Sequence, residues 1–177
     1  MPSANTFSIA PIKRKVTSIL LDKKRGSGSD FVSVDPFAND SCLKSLLTYT
    51  NDIDPSMKTT HNMDALEFLK SIETGSVDVV LFDPPYSTRQ VSECYKKFDM
   101  TVNLETTQAI FWTNLKVEIY RVLKPEGVCV SCSWNSGGIG KKLGMKIEEI
   151  MLVAHGGWHN DTIITIERKL RGTKKLF

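Results

Sequence analysis

The sequence predicts an α/β fold with a mostly parallel sheet, and three observations indicate it. Val77–Phe82 is a short apolar, β-branched run, typical of a strand that is buried on both faces. Strand-like and helix-like segments alternate along the chain, which is the order of a parallel sheet covered by helices. Residues 145–154 and 162–166 form two strand-like runs around a Gly-Gly turn, which predicts a C-terminal antiparallel hairpin.

The individual elements follow from local patterns. Apolar residues at helical spacing after Pro11 predict a first helix, followed by a basic, glycine-rich break at residues 23–29. The other segments, assigned from apolar periodicity and turn residues, are strands at 31–34, 47–50, 59–62 and 128–133, helices at 42–47, 66–72 and 106–123, and an irregular loop at 87–104.

The composition is that of an ordinary globular protein. The 177 residues suit one domain, and we expect a single domain over residues 1–177 with candidate flexible tails at 1–10 and 168–177. No apolar run reaches the length of a membrane span and no signal-peptide core begins the chain, so we expect a cytoplasmic protein without a membrane partner. A net charge of +3 permits nucleic-acid binding without demanding it.

Two of the four cysteines have the spacing of a metal motif. Cys129 and Cys132 lie three positions apart in an apolar strand-like run. Positions three apart on a strand point to opposite faces, so these two thiols cannot share one ion. We therefore expect buried, reduced thiols and no metal site.

The segment that follows Val77–Phe82 carries the strongest chemical signal. Pro84 and Pro85 each fix φ and lack an N–H, so strand pairing stops there in a stiff turn. This turn presents the Asp83 carboxylate, the Pro84 carbonyl and the Tyr86 ring at the sheet edge where open α/β folds bind ligands. Two acceptors on the N–H groups of an exocyclic amine aim its lone pair at an incoming methyl group. The alternative is a strand-ending turn capped by Asp83, because short motifs give false positives.

Asp83-Pro84-Pro85-Tyr86 resembles the catalytic motif of the S-adenosylmethionine-dependent amino-methyltransferases. These enzymes methylate adenine N6 or cytosine N4 in DNA, and related enzymes act on RNA; the Asp-first form is more typical of adenine enzymes. The resemblance implies a class I methyltransferase fold, a Rossmann-like three-layer sandwich with a mostly parallel seven-stranded sheet. It assigns catalysis to these four residues, implies S-adenosyl-L-methionine as the cofactor, and implies no metal.

The loop after the first predicted strand resembles the family's first cofactor motif without its glycines. Asn39 and Ser41 stand in the places of the two glycines. Asn tolerates left-handed backbone and Ser is small, so the loop can still pass close to a cofactor. The cofactor contacts that the resemblance implies here are Asp35, Pro36, Phe37, Ala38, Asn39 and Ser41.

Acidic residues follow the next two predicted strands. A carboxylate after the second strand can accept both hydroxyls of a ribose diol, and it falls roughly 20 residues after the first loop. Asp52 is our assignment and Asp54 the alternate, and an Asp-rich turn is the competing interpretation. Asp64 matches the family's acceptor for the cofactor's adenine amino group, with Ala65 beside it, and Asp64 is also a good helix N-cap.

Residues on the target side are assigned from loops beside the motif. Ser87 and Arg89 begin a stretch in which basic and aromatic residues interleave, as suits phosphate and base contacts. Trp134 follows the fifth strand and can stack on a base. An ordinary surface loop and a core tryptophan are the alternatives.

Together these patterns predict methyl transfer to an exocyclic amine of a nucleobase, with adenine N6 in DNA favoured. Two other hypotheses stay open. An RNA base methyltransferase is one, because 177 residues leave no room for a separate target-recognition domain. A methyltransferase-like protein that binds nucleic acid or a partner without catalysis is the other, and the missing glycines favour it.

Overall fold

The computed structural model describes residues 5–103, 108–155 and 160–172, which form a mixed α/β fold around one sheet. Its strands are β1 Ser33–Asp35, β2 Tyr49–Thr50, β3 Val77–Phe82, β4 Leu123–Ser133, β5 Met145–Val153 and β6 Thr162–Lys169. The α-helices are α1 Ala10–Ser27, α2 Ala65–Ser71, α3 Thr88–Lys97 and α4 Ala109–Val122, and 3-10 turns lie at Thr6–Ser8, Gly28–Asp30, Lys44–Leu46 and Lys141–Leu143.

The strands run in the order β2-β1-β3-β4-β6-β5. The β1–β2, β1–β3 and β3–β4 pairs are parallel, whereas β6 is antiparallel to both β4 and β5. All six residues of β3 are buried, as the apolar run predicted. The predicted α/β class, the mostly parallel sheet and the C-terminal antiparallel hairpin are therefore confirmed.

The two faces of β3 enter two separate cores. Val80 and Phe82 pack with side chains of α2, α3 and α4 on one face. Val79 and Leu81 pack with side chains of α1 on the other face. Helices therefore cover both faces of the sheet, which is the three-layer arrangement expected from the sequence.

The two cysteines of β4 separate between these cores. Cys129 belongs to the core on the α4 side and Cys132 to the core on the α1 side, and both are buried free thiols. Burial raises the pKa of each thiol above its usual value. They face opposite sides of the sheet, as their spacing on a strand predicted.

The predicted third strand is reduced to one bridge. Asn51 and His61 form an isolated parallel bridge, so the described residues hold six strands where seven were expected. Two backbone bonds form this bridge, from the His61 N–H to the Thr50 carbonyl at 3.0 Å and from the Asp52 N–H to the His61 carbonyl at 3.3 Å. The Thr60 hydroxyl adds to them, because it accepts from the Thr50 N–H and donates to the Thr50 carbonyl.

Three segments also differ from the helix prediction. α1 continues through the predicted break to Ser27, because lysine and arginine are good helix formers, and it ends at Gly28 with φ 60°. Residues 42–47 contain only the Lys44–Leu46 turn. The predicted loop at 87–104 contains α3, whose N-cap is Ser87, with its hydroxyl accepting from the Gln90 N–H at 3.3 Å.

Both predicted tails contribute to the folded chain. Thr6 and Phe7 are buried, and β6 continues to Lys169. The Gly-Gly turn of the hairpin, residue 104 of the predicted loop and the start of the helix predicted at 106 lie outside the described residues. In the part of the chain that is described, no helix has the length and apolarity needed to cross a membrane.

One charged side chain ties the amino end of β3 to its neighbours. The Asp78 carboxylate accepts hydrogen bonds from the Val32 N–H at 2.9 Å, the Ser27 hydroxyl at 2.7 Å and Lys124 Nζ at 2.7 Å. Burial alone would raise the pKa of Asp78, but these hydrogen bonds outweigh burial and hold the pKa below its usual value. Asp78 thus joins α1, β1 and β4 at the edge opposite the 83–86 turn.

We predict that Asp78→Ala lowers the free energy of unfolding by about 2–3 kcal/mol near neutral pH, because three donors lose their acceptor. Since the folded-state pKa is lowered, this contribution is present above the usual carboxyl pKa and is lost as pH falls through the folded-state pKa. Urea unfolding at several pH values measures the effect. The control Asp22→Ala removes a carboxylate that is 63% exposed and should change little; equal losses in both variants contradict the prediction.

Candidate active site at the carboxyl edge of the sheet

The 83–86 turn leaves β3 with its carboxylate held in place. Tyr86 Oη donates to Asp83 Oδ1 at 2.5 Å, and the Thr6 hydroxyl also hydrogen-bonds to this pair. Burial raises the pKa of Asp83, and the hydrogen bonds from Tyr86 and Thr6 oppose that rise. Burial, together with the Asp83 charge, raises the pKa of Tyr86, so its hydroxyl keeps its proton and remains a donor.

Two helices brace the backbone of the same turn. The Tyr86 N–H donates to Gln90 Oε1 of α3 at 2.7 Å, and Trp112 Nε1 of α4 donates to the Pro85 carbonyl at 2.9 Å. The Pro84 carbonyl accepts no hydrogen bond from any of the described residues. The turn is therefore rigid, and it keeps one backbone acceptor for a ligand.

A cavity lies on each side of the turn. The first has a volume of about 700 Å³ and is lined by residues from the ends of β1, β2 and β3 and from α3. The second has a volume of about 380 Å³ and is lined by residues of α4 and the end of β4. Pro84 and Tyr86 line both cavities, so the turn forms the wall between them.

The two cavities differ in charge. Among the described residues, the lining of the first has five carboxylates and one ammonium, from Asp52, Asp54, Asp64, Asp83, Glu93 and Lys97. The lining of the second has one ammonium, from Lys116, and no carboxylate among those residues. Fields of opposite sign in neighbouring clefts favour ligands of opposite charge. The first cavity therefore suits a cationic ligand and the second an anionic one.

The 35–41 loop forms one wall of the first cavity. Asn39 has φ 42°, the left-handed conformation that a glycine would otherwise supply. Its N–H donates to Asp52 Oδ2 at 2.8 Å, which ties the loop to the end of β2. Pro36, Phe37 and Asn39 line the cavity. The missing glycine at position 39 thus leaves the close-approach geometry of the loop intact.

Three other residues of this loop lie behind the cavity wall. Asp35, Ala38 and Ser41 are buried, and Ser41 Oγ accepts from the Leu43 N–H at 3.2 Å. Asp35 Oδ1 accepts from the Phe37 N–H at 2.9 Å, whereas its Oδ2 has no hydrogen-bond partner. Burial, and then the Asp83 and Asp52 charges, raise the pKa of Asp35 to about 8.

The acidic residues after β2 divide into two roles. Asp52 accepts from the Asn39 and Asp54 N–H groups and lines the cavity. Asp54 also lines the cavity, but its Oδ1 accepts from Ser56 and its Oδ2 from Lys97 Nζ at 3.1 Å. These contacts lower the pKa of Asp54, with the Ser56 hydrogen bonds as the main cause. Of the two carboxylates, Asp52 is therefore the one that is hydrogen-bonded to the 35–41 loop.

Asp64 caps a helix and also lines the first cavity. Its Oδ1 caps α2 by accepting from the Leu66 N–H at 2.8 Å and the Glu67 N–H at 3.3 Å, which confirms the predicted N-cap. Its Oδ2 accepts from Tyr95 Oη of α3. Asp64 and Ala65 both line the first cavity, so the cap stands at a ligand-facing position.

The structure gives two of the target-side residues local roles. Ser87 caps α3 and Arg89 pairs with Glu93 on an exposed helix surface, with Nε and Oε1 2.7 Å apart. Neither residue is in the lining of the two cavities. Trp134 is 37% exposed and contacts the Tyr86 ring edge-on, with 5.6 Å between centroids, so it lies next to the turn without lining a cavity.

Thr6, Gln90 and Trp112 escaped the sequence analysis, and Tyr95 was predicted as an aromatic residue of a loop, whereas it lies on α3. Val91 and Tyr95 are four apart on the buried face of α3, and this spacing could have revealed the helix. Trp112 contacts Pro85 across 27 positions, for which the local sequence gives no signal. Residues 5–103, 108–155 and 160–172 contain no group of three or more His, Cys, Asp or Glu side chains arranged to hold a metal ion.

Comparison with known proteins identifies the fold. Neither a protein-family model nor a curated protein sequence matches the chain. Among solved structures, the N-methyltransferase NodS from Bradyrhizobium japonicum WM9 matches over 91% of this chain and 98% of its own, with a TM-score of 0.56 and 13% identity. A 1,6-didemethyltoxoflavin-N1-methyltransferase from Burkholderia thailandensis, with bound 1,6-didemethyltoxoflavin and S-adenosylhomocysteine, matches over 86% and 77%, with a TM-score of 0.55 and 10% identity.

TrmN from Thermus thermophilus is a third similar structure. The match covers 85% of this chain and 48% of TrmN, with a TM-score of 0.50 and 15% identity. At such identities the similarity establishes the fold and no more. The fold is that of the class I methyltransferases, as the resemblance implied.

We predict that Asp35 makes stability fall as pH rises. Its folded-state pKa is about 8 against an ordinary value of 3.8, so its contribution is fully present below the ordinary pKa and is lost as pH rises through about 8. The free energy of unfolding should drop by about 2–4 kcal/mol between pH 5 and pH 8 from this group. Urea unfolding of Asp35→Asn should show a flatter pH dependence; the control Asp30→Asn should retain the original slope. An unchanged slope in Asp35→Asn would refute the assignment.

Proposed function

We propose that this protein is an S-adenosylmethionine-dependent methyltransferase that acts on the exocyclic amine of a nucleobase, with adenine N6 in DNA as the favoured target. One observation carries the proposal. A rigid turn with a held carboxylate and an unpaired carbonyl separates an acidic cavity from a basic one. This arrangement brings a cationic donor and an anionic acceptor to the two sides of one wall.

The first cavity fits the cofactor by its size and by its hydrogen-bond acceptors. A volume of about 700 Å³ is within the range of small-molecule sites. We assign the ribose hydroxyls to Asp52, the adenine amino group to Asp64, and the remaining contacts to Pro36, Phe37, Asn39 and Ala65. When bound, S-adenosylmethionine supplies an electrophilic methyl group on a positively charged sulfur, which the surrounding carboxylates favour.

The 83–86 turn then orients the acceptor amine. Asp83 and the Pro84 carbonyl accept the two N–H groups, which directs the nitrogen lone pair out of the base plane. Tyr86 fixes the carboxylate through its hydroxyl and offers its ring for stacking. Pro85, held by Trp112, keeps this geometry.

A base in duplex DNA must leave the helix to reach this turn. Unstacking costs a few kcal/mol, and stacking on an aromatic ring returns roughly 1–3 kcal/mol per base. Tyr86 is the ring at the wall, and Trp134 supports it from the side. Adenine in DNA is the favoured target because the Asp-first motif resembles that of the enzymes that methylate adenine N6 in DNA. RNA is the second acceptor to test, since it presents unstacked bases without that cost.

The catalytic assignment predicts that Asp83→Ala abolishes methyl transfer and leaves cofactor binding within about threefold, because Asp83 acts on the acceptor amine. Tritiated-methyl transfer to DNA and to RNA, followed by nucleoside analysis, measures the first effect, and calorimetry with S-adenosylmethionine measures the second. The control Asp40→Ala removes a carboxylate that is 94% exposed. Near-normal turnover in Asp83→Ala contradicts the assignment, and no cofactor binding by the unsubstituted protein supports a non-catalytic binding protein instead.

The ribose assignment predicts different effects for two neighbouring carboxylates. Asp52→Asn should weaken S-adenosylmethionine binding about tenfold or more, because a charged acceptor for the ribose and the anchor of Asn39 are both altered. Asp54→Asn should weaken it less than threefold, because Ser56 and Lys97 already occupy Asp54. The Kd of each variant for S-adenosylmethionine is measured by calorimetry. A larger loss of affinity in Asp54→Asn than in Asp52→Asn would assign the ribose to Asp54.

A further inference from the structure

One cation, the ammonium group of Lys116, lines the second cavity. Lys116 Nζ has no hydrogen bond and no ion pair with any described residue, although the side chain is partly buried and lines the cavity. Hydroxyl groups of Thr113, Ser131 and Ser133 and the Asn135 amide line the same space. An ammonium group whose N–H donors are not taken up by the described residues, beside hydroxyl and amide groups, suits an anionic ligand.

Lys116 stands on the same helix face as the brace of the 83–86 turn. Trp112, which donates to the Pro85 carbonyl, precedes Lys116 by four positions, and Thr113 precedes it by three. Residues at these spacings are neighbours on a helix surface. α4 therefore brings a cation and a hydroxyl to the cavity whose other wall is Pro84 and Tyr86.

One buried carboxylate interacts with the Lys116 charge, and its hydrogen bonds are made to backbone N–H groups. Glu167 of β6 accepts from the Ile139 N–H at 2.5 Å and the Gly140 N–H at 2.9 Å, and it is fully buried behind the cavity lining. Burial raises the pKa of Glu167, while these two N–H groups and the Lys116 charge lower it. Gly138 lies over Glu167, where an added Cβ would overlap the carboxylate. Glu167 thus holds the 138–140 loop and leaves Lys116 as the charge that faces the cavity.

We propose that the second cavity binds a phosphate group of the acceptor molecule through the Lys116 ammonium, with the Ser131 and Ser133 hydroxyl groups of the lining as additional donors. The identification of that molecule as a nucleic acid rests on the proposed function. Lysine is a compact point charge that pairs with phosphate oxygens. A phosphate held here would fix the acceptor while its base reaches Asp83 on the other side of Pro84 and Tyr86. The phosphate belongs either to a nucleic-acid backbone or to a free mononucleotide.

The first test uses binding rather than turnover. A short fluorescein-labelled single-stranded DNA is titrated with the full chain in the presence of S-adenosylhomocysteine, at several salt concentrations. Lys116→Gln should weaken binding about tenfold and reduce the slope of log Kd against log salt by about 1. The matched control is Lys142→Gln, which removes an exposed ammonium outside both cavities and should leave the affinity unchanged.

The second test does not depend on a nucleic-acid substrate. Inorganic phosphate is titrated while the NMR signals of the lysine Cε–H groups are followed, with the Lys116 signal assigned by its loss in Lys116→Gln. Saturable movement of that signal, but not of the Lys142 signal, is the expected result. Movement of the Lys116 signal with DNA affinity unaffected by Lys116→Gln assigns the site to a free phosphorylated molecule.

The remaining outcomes separate this inference from the proposed function. If the protein does not bind the single-stranded DNA but phosphate moves the Lys116 signal, the cavity is a phosphate site. The proposal that the acceptor is a nucleic acid is then wrong. If Lys116→Gln weakens DNA binding and reduces the slope of log Kd against log salt, the cavity binds a backbone phosphate, whether or not free phosphate also binds. If Lys116→Gln binds DNA as tightly as the unsubstituted protein and phosphate leaves the signal unmoved, the inference is overturned.

Discussion

Two consecutive prolines at the end of β3 impose the constraint on which the site depends. β3 is paired on both sides and buried on both faces, so it would extend further if its backbone could. Pro84 and Pro85 remove the donors for continued pairing and restrict the backbone angles. The chain must therefore turn away at the sheet edge, and α3 and α4 reach the turn through Gln90 and Trp112. Rigidity here comes from covalent restriction first and from tertiary hydrogen bonds second.

The division of charge on the two sides of the turn follows from topology. Carboxylates come from the ends of β2 and β3 and from the start of α2, because these parallel elements all end or begin at one edge. Lys116 comes from α4 and lines only the second cavity. A single wall of Pro84 and Tyr86 thus separates two electrostatic environments. Such a layout favours two different ligands meeting at one place.

The sequence predicts the sheet better than it predicts the helices around the site. β3, its abrupt end and the hairpin follow from apolar runs and turn residues, which act locally. α3 was missed because its charged residues hide the spacing of Val91 and Tyr95. Asn39 and Asp64 were predictable because backbone conformation and helix capping depend on residue type. Contacts such as Trp112 to Pro85 were not, because they depend on how distant elements pack.

The glycine above the buried carboxylate of β6 couples two distant positions of the chain. Gly138 has φ 52° and no room for a side chain while Glu167 occupies its present place. A larger residue at 138 must therefore displace the Glu167 carboxylate, which weakens its hydrogen bonds to Ile139 and Gly140, or be accompanied by a shorter residue at 167. Divergence among homologous proteins should preserve or exchange this pair together, with the mouth of the smaller cavity changing shape whenever it is exchanged.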